Sequence, residues 1–508
     1  MAQSNAAGSM QAGAQLPALG DGSDMSSGAE RRLGERIARE IYRDPDYIDD
    51  PVLAEYVQGV WQPLLAAARL RGDLSPELSE RFAWEIMLGR DRSVNAFALP
   101  GGYFGLHLGL LAVVSSRDEL ASVLGHELSH VTQRHISRLI ANQGQQAPWV
   151  IGAMILGALA ASKNANVANA MIVGSQAAAA QSQLNFSRDM EREADRVGYG
   201  LMTQAGFEAQ GFVTMFDKLQ QASRLNDNGA YPYLRSHPLT TERIADMQSR
   251  QALGVRNQAT SAPTLEHAML AARARVLSNP GVDALRAAAM EPGSPRMAAL
   301  PMPRQVAALY SAALAASRLR DFGLAAANAD RLTALLGSDE GGAARWARLL
   351  RVEIALASGN VAGAQAALND TPAKKDSPGS GMLVTRRPEL FLSAQIVLHA
   401  NQSGQLAQVN ALAQRLQMWV ADHPRDAQAW QLLSSAYAAQ GQTLRAIRAD
   451  AETQVALLDY AAALDRFKAA QDFVRKGGAA TPDHIEASII DTRRRQVESV
   501  LKEQALER

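Results

Sequence analysis

The chain has 508 residues, with 51 Lys plus Arg, 51 Asp plus Glu and no Cys. Zero net charge excludes nucleic-acid binding through a basic field, and the lack of Cys excludes disulfide scaffolds, Cys-ligated zinc, iron–sulfur clusters and Cys nucleophiles. The length predicts roughly two to four domains, and 47% hydrophobic but only 5% aromatic residues, with Ala runs such as 177–180, lean towards helical cores.

Residues 1–28 read as a flexible polar lead rich in Gly and Ser. They have no basic segment and no apolar core, so no signal peptide is visible. The expectation is a cytosolic chain or a mature form that has lost its signal. Helical spacing begins at Glu30 and runs to Ile41, where Asp44-Pro45 ends it. Asp50-Pro51 opens a second helix with Val52, Leu53, Tyr56, Val57, Val60 and Leu64 on one face. Trp84 to Leu88 reads as a strand. Val94 to Leu99 and Tyr103 to Leu106, joined by Pro100-Gly101-Gly102, read as a hairpin. Ser116 and Glu119 are spaced as a capping box for a helix expected to reach about Asn142. From Ala147 to Ser187 the only charge is Lys163, and the longest apolar run, 147–161, is short of the about 20 residues that span a bilayer. The leading reading is a packed Ala-rich segment, and the second is peripheral contact with a membrane. Another helix covers Asp189 to Ala205 and stops at Gly206.

After Thr260 the strands disappear. Ala/Leu/Arg helices alternate with short Gly, Asp or Pro breaks. Leu433, Tyr437, Gly441 and Ala446 follow Trp430 at tetratricopeptide-like spacing, and Ala463, Phe467 and Ala470 repeat the second-helix pattern. Tyr310, Asp321, Phe322 and Ala325 look like another copy, and 346–366 like a degenerate one. Residues 369–388 read as a loop within the array.

The decisive motif is His126-Glu127-Leu128-Ser129-His130. On a helix, i and i+4 share a face, so both imidazoles reach one ion. Glu127, turned about 100° away, is placed as a general base rather than a ligand. A catalytic zinc needs three protein ligands and one open position. Glu191 and Asp195, again i and i+4, supply the rest: Glu191 as third ligand, Asp195 as the carboxylate that accepts an N–H from a ligand His. Glu193 lies about 200° round from Glu191 and is expected to face elsewhere. His135, about 140° off the metal face, is expected at the surface, and His107 as structural. His267, His399, His423 and His484 are expected as ordinary surface or packing residues. His237, stiffened by Pro238 and followed by Arg243, is expected at the active site.

Four stretches resemble peptidase family M48, the zinc metallopeptidases: 95–102 (NAFALPGG), 126–130 (HELSH), 187–195 (SRDMEREAD) and 236–239 (SHPL) with Arg243. The resemblance covers residues 29–250, and with the repeats it points to a periplasmic branch of Gram-negative bacteria. Met1 is then an added start on a mature chain. The implied fold is an α+β zincin-type metalloprotease domain at 29–260, with helices around a small sheet that has an exposed edge strand. An all-α tetratricopeptide-like repeat domain follows at 261–508. The implied chemistry is a zinc metalloendopeptidase with one Zn2+ per chain on His126, His130 and Glu191, and with Glu127 as base. His237 is expected either as a fourth, inhibitory ligand or, with Arg243, as a transition-state donor. Val94, Asn95, Ala96, Phe97, Ala98 and Leu99 would form the edge that takes substrate by strand addition. Implied substrates are unfolded or misassembled outer-membrane proteins, and the implied partner of the repeats is the outer-membrane barrel assembly machinery. The alternative is a chaperone-like repeat adaptor with little proteolysis.

Overall fold

The structure is a computed structural model, and it describes residues 25–142, 187–224, 231–250, 264–279, 281–337, 341–370, 386–400, 406–476 and 483–506. The uncharged 147–187 segment therefore lies, but for Ser187, outside the described residues, as do most of the polar lead and of the 369–388 loop. Among the described residues no helix is long and apolar enough to cross a membrane.

Helix α1 (Ser27–Arg43) starts where the Ser26 hydroxyl accepts the Ala29 N–H, and it buries Leu33, Ile37 and Ala38. Helix α2 (Pro51–Arg71) starts on the Asp50 carboxylate, which accepts the Leu53 N–H, and ends at left-handed Gly72. All six residues expected on its apolar face are buried, together with Trp61. After α3 (Pro76–Arg81) come β1 (Glu85–Gly89), β2 (Ala96–Leu99) and β3 (Tyr103–His107). The sheet order is β1-β3-β2. The hairpin pairs Ala96 with Leu106 and Leu99 with Tyr103, and β1 joins β3 in parallel. Gly101 and Gly102 both have positive φ at the turn, and a Cβ on Gly101 would stand 2.6 Å from the Arg31 Cα. This turn accepts glycine only.

Strand β2 is an edge. The Asn95 carbonyl accepts the His107 N–H, so Asn95, Phe97 and Leu99 bond inward to β3. By alternation the N–H and C=O groups of Ala96 and Ala98 point outward. The Val94 carbonyl is on that outer side too, and it accepts the Tyr233 N–H at 3.3 Å.

Beyond β3, α4 (Leu108–Val113) leads to α5 (Arg117–Thr132), whose Ser116 cap accepts the Glu119 N–H while Glu119 reaches back to the Ser115 N–H. Helix α5 does not continue to Asn142. It stops at Thr132, passes through Arg134 at φ 53°, and gives way to α6 (His135–Asn142). At the break the Arg134 guanidinium pairs with Glu30, which is 1% exposed. Helices α7 (Arg188–Gln204), α8 (Gln210–Arg224), α9 (Tyr233–Ser236) and α10 (Thr241–Arg250) close the metal side of α5.

From α11 (Leu265–Ser278) to the last helix (His484–Leu506) the described chain is helical; α11 packs chiefly on α4 and on the helix Met302–Arg318, and most later helices pack on the next in sequence. Trp430, Leu433, Tyr437, Ala463, Phe467 and Ala470, singled out by spacing, are all buried. One apolar core runs without a gap from Val52 in α2 through Met269 in α11 to Ile396. A row of arginines fixes the same contact. Arg273 holds Asp50 and Glu353, Arg345 holds Glu55 and Glu389, and Arg387 holds Asp49 and Asp426. Three acids at the start of α2 thus each take a guanidinium from the C-terminal helices.

Candidate metal centre

Helix α5 carries the H-E-x-x-H motif and is buried along its whole metal-bearing stretch. Helix α7 crosses it where both chains have glycine. A Cβ on Gly198 would stand 2.9 Å from the His126 N, and one on Gly125 3.1 Å from the Gly198 O. Only without side chains can the two backbones come this close. The crossing brings Glu191 and Asp195, two turns and one turn before Gly198, onto the imidazoles of α5.

The side chains converge on one point. His126 Nε2 lies 3.0 Å from His130 Nε2 and 3.3 Å from His237 Nδ1. Glu191 Oε1 lies 3.0 Å from His237 Nδ1 and 3.5 Å from His130 Nε2, and Glu191 Oε2 lies 3.4 Å from His126 Nε2. All four residues are buried and offer ligand atoms within 4.8 Å of one another. A tetrahedral zinc with bonds of about 2.05 Å separates its ligand atoms by about 3.3 Å. The observed spacings scatter around that value, so the donor set fits a single zinc ion.

The electrostatics agree. Burial pulls the His126 imidazole down, but Asp195 and Glu191 beside it more than reverse this and hold it at about 10. Burial raises Glu191, and the His237 and His126 rings outweigh it, leaving the carboxylate well below its ordinary value. His130 is driven well below its ordinary value by burial and by the His126 charge. The carboxylates thus draw positive charge to His126, while burial keeps the neighbouring His130 from taking a proton as well. A divalent metal would supply that charge.

Glu127 is 1% exposed, and neither of its carboxylate oxygens has a hydrogen-bond partner. His237 Nε2 lies 3.4 Å from its Oε1, and the Tyr233 side chain also acts on the carboxylate. Burial raises its carboxyl above the ordinary value, against the pull of His237 and His126. The His237 ring lies between the base and the four-atom cluster, stacked on Tyr233 with centroids 4.6 Å apart.

Asp195 Oδ1 is 2.9 Å from His126 Nδ1, close but off the straight hydrogen-bond line. Arg243, expected as a transition-state donor, is committed elsewhere. Its Nε and Nη2 donate to Asp195 at 2.6 and 2.8 Å, and its Nη1 reaches the Pro238 carbonyl and Glu191 Oε2, each at 2.8 Å. That geometry places Arg243 as an anchor between α7 and the His237 loop.

The sequence reasoning missed two residues. His135 is not at the surface; its side chain is fully buried, with Nδ1 2.9 Å from His130 Nδ1. The 140° extrapolation failed because the helix breaks at Arg134. Glu193 does face away from the cluster, and there it meets His135 Nε2 at 3.0 Å. The other His behave as expected: His107 and His267 are buried and hydrogen-bonded to Ser93 and to Tyr56 and Val114, while His399 and His423 are exposed.

The sequence model of peptidase family M48 matches residues 55–251. The chain carries an M48 peptidase domain. That M48 domain contains the whole cluster and the edge strand. A Vibrio cholerae homologue is 34% identical over 273 residues, 53% of this chain and 54% of that protein. The "Beta-barrel assembly-enhancing protease" of Escherichia coli is 32% identical over 241 residues, 46% of this chain and 47% of its own length. These alignments span about half the length of the relatives they match. The protein of the same name from Yersinia pestis is 29% identical over 447 residues, 86% of this chain and 83% of that one. A "Mitochondrial metalloendopeptidase OMA1" from Arabidopsis thaliana matches more distantly, 31% over 159 residues.

Proposed function

We propose that this protein is a zinc-dependent endopeptidase of periplasmic quality control that cuts misfolded or stalled outer-membrane proteins, with a resting site closed by its own His237. The observation that carries the reading is the tetrahedral spacing of His126, His130, Glu191 and His237 beside a buried carboxylate, Glu127, with no hydrogen-bond partner. The substrate class and compartment rest on the names of the relatives.

His126, His130 and Glu191 would hold the zinc, which when bound supplies Lewis-acid activation of water and of a peptide carbonyl. Glu127 takes the proton of the attacking water and passes it to the leaving amine as the C–N bond breaks. Its raised proton affinity suits both transfers. Asp195 and Arg243 hold the His126 imidazole in register. An extended peptide would add to the outer side of β2 at Ala98, with Ala96, fully buried here, to be uncovered as it binds; such a contact is blind to sequence and suited to unfolded chains. The 261–508 helices, read as tetratricopeptide-like repeats, would dock the barrel assembly machinery.

His237 fills the fourth corner and the space in front of Glu127. Its own loop also takes the Val94 carbonyl through Tyr233 N–H. Substrate and the His237 loop therefore compete for one edge, and a closed fourth position is an inactive one. The same closure is what a repeat adaptor with little proteolysis would have. The test is His237→Ala with an unfolded casein-like substrate and zinc measured alongside. A rise in basal cleavage, with self-cleavage, is expected. Lower kcat with zinc retained would overturn the cap and make His237 a donor.

A further inference from the structure

The two imidazoles of the motif are not held alike. His126 has a carboxylate, Asp195, directly at its Nδ1. His130 has another imidazole there, that of His135, at 2.9 Å. The His135 ring stands edge-on to His130, with centroids 4.9 Å apart and planes at 77°. At its far side His135 Nε2 is 3.0 Å from Glu193 Oε2, which also accepts Arg138 Nη1 at 2.9 Å.

Two nitrogens at 2.9 Å need one proton between them. His130 offers Nε2 to the four-atom cluster, so a neutral His130 that ligates there carries its proton on Nδ1. It then donates to His135 Nδ1, which must accept. The His135 proton is thereby forced to Nε2, where Glu193 accepts it. Every donor in the row meets an acceptor in only one order: His130 Nδ1–H to His135 Nδ1, His135 Nε2–H to Glu193, with Arg138 keeping Glu193 ionised.

We propose that His135 and Glu193 are positioning residues for the metal ligand His130, fixing its tautomer and ring orientation through a directed imidazole relay. The proposal rests on the zinc reading of the site. The αL residue Arg134 is part of the device. Its backbone turn carries His135 back onto His130, and its side chain is pinned by Glu30 and the Met25 carbonyl. An unbroken helix would have carried His135 away from that ring.

The test is zinc affinity of the full chain, by competition with a chromophoric chelator, for wild type, His135→Phe, His135→Asn and Glu193→Ala. Partners of metal-ligating His typically contribute 10–100-fold in affinity. His135→Phe keeps an aromatic ring but has no acceptor, and zinc binding should weaken by about that factor. His135→Asn restores an acceptor near the Nδ1 position and should recover most of the loss, which a merely space-filling role would not predict. Glu193→Ala works from the partly exposed end of the row without disturbing the core, so it reports even if His135→Phe does not fold. It should weaken zinc by a smaller but measurable factor. Nitrogen-15 spectra of the wild type should show His135 as the neutral Nε2–H tautomer. Wild-type affinity in Glu193→Ala and in folded His135→Phe, or a His135 proton on Nδ1, overturns the relay. If wild type itself binds no zinc, it is the metal reading that fails.

Discussion

Gly198→Ala tests whether the close crossing of α5 and α7 sets the metal geometry. The new Cβ would stand 2.9 Å from the His126 N and 3.0 and 3.1 Å from the Gly125 C and O. All three are backbone atoms of α5, so no side chain can swing aside. Ordinary contact begins at 3.4 Å, and the helices must part by about 0.5 Å. Overpacking of this kind costs about 1–3 kcal/mol, and the better helix propensity of Ala offsets about 1 kcal/mol of it. A net loss of about 0–2 kcal/mol in the metal-free chain follows from those two terms. The effect on the site should be larger than the effect on the fold. Zinc bonds tolerate about 0.2 Å, and Glu191 moves with α7. Zinc affinity should fall at least about tenfold, the scale at which displaced orienting groups act. Chelator competition and thermal unfolding of the metal-free chain measure the two quantities. A variant that binds zinc as tightly as wild type and is stabilised by about 1 kcal/mol, as for a Gly in an open helix, would refute the argument.

Two further outcomes follow from buried charge. Arg243→Gln leaves Asp195 and Glu191 without their guanidinium, which typically costs about 3–5 kcal/mol. Both the unfolding temperature and the zinc affinity should drop, whereas a pure transition-state donor would lose kcat alone. Asp426 has its carboxyl raised by burial but held below its ordinary value by Arg387 and Trp419. A depressed native value stabilises fully above the unfolded value of about 3.9, and that contribution is lost as pH falls through the native value. Acid unfolding of the C-terminal helices, followed by hydrogen exchange from pH 6 downward, should therefore steepen below about pH 4. Asp426→Asn should flatten that dependence, and an unchanged acid slope would contradict it.

The site was legible in the sequence wherever its spacing is local to one helix. His126 and His130, and Glu191 and Asp195, follow from the i, i+4 rule, and their faces are as expected. Asp50-Pro51, Ser116 and Gly206 marked real helix ends because caps are local chemistry. What was not legible depends on contacts between distant segments. The break at Arg134 comes with a contact to Glu30, 104 residues away, and with the break went the position of His135. Glu193 gained its partner only through that break. The parallel pairing of β1 with β3 and the Gly125–Gly198 crossing have no periodic signature. Arg243 was visible as a charge near the site, but its partners were not, because they sit on another helix. The continuous core between α2 and α11, with its row of Arg–carboxylate pairs, likewise joins residues more than 200 positions apart.

The most direct test of the account is zinc content and cleavage of an unfolded protein measured together on the full chain and on Glu127→Gln. Glu127 lies beside the four-atom cluster but is not part of it. The account predicts one zinc per chain in both proteins and peptide-bond cleavage only where Glu127 is present. A full chain that carries no zinc after zinc loading, or a Glu127→Gln protein that cuts as fast as the original, would contradict it.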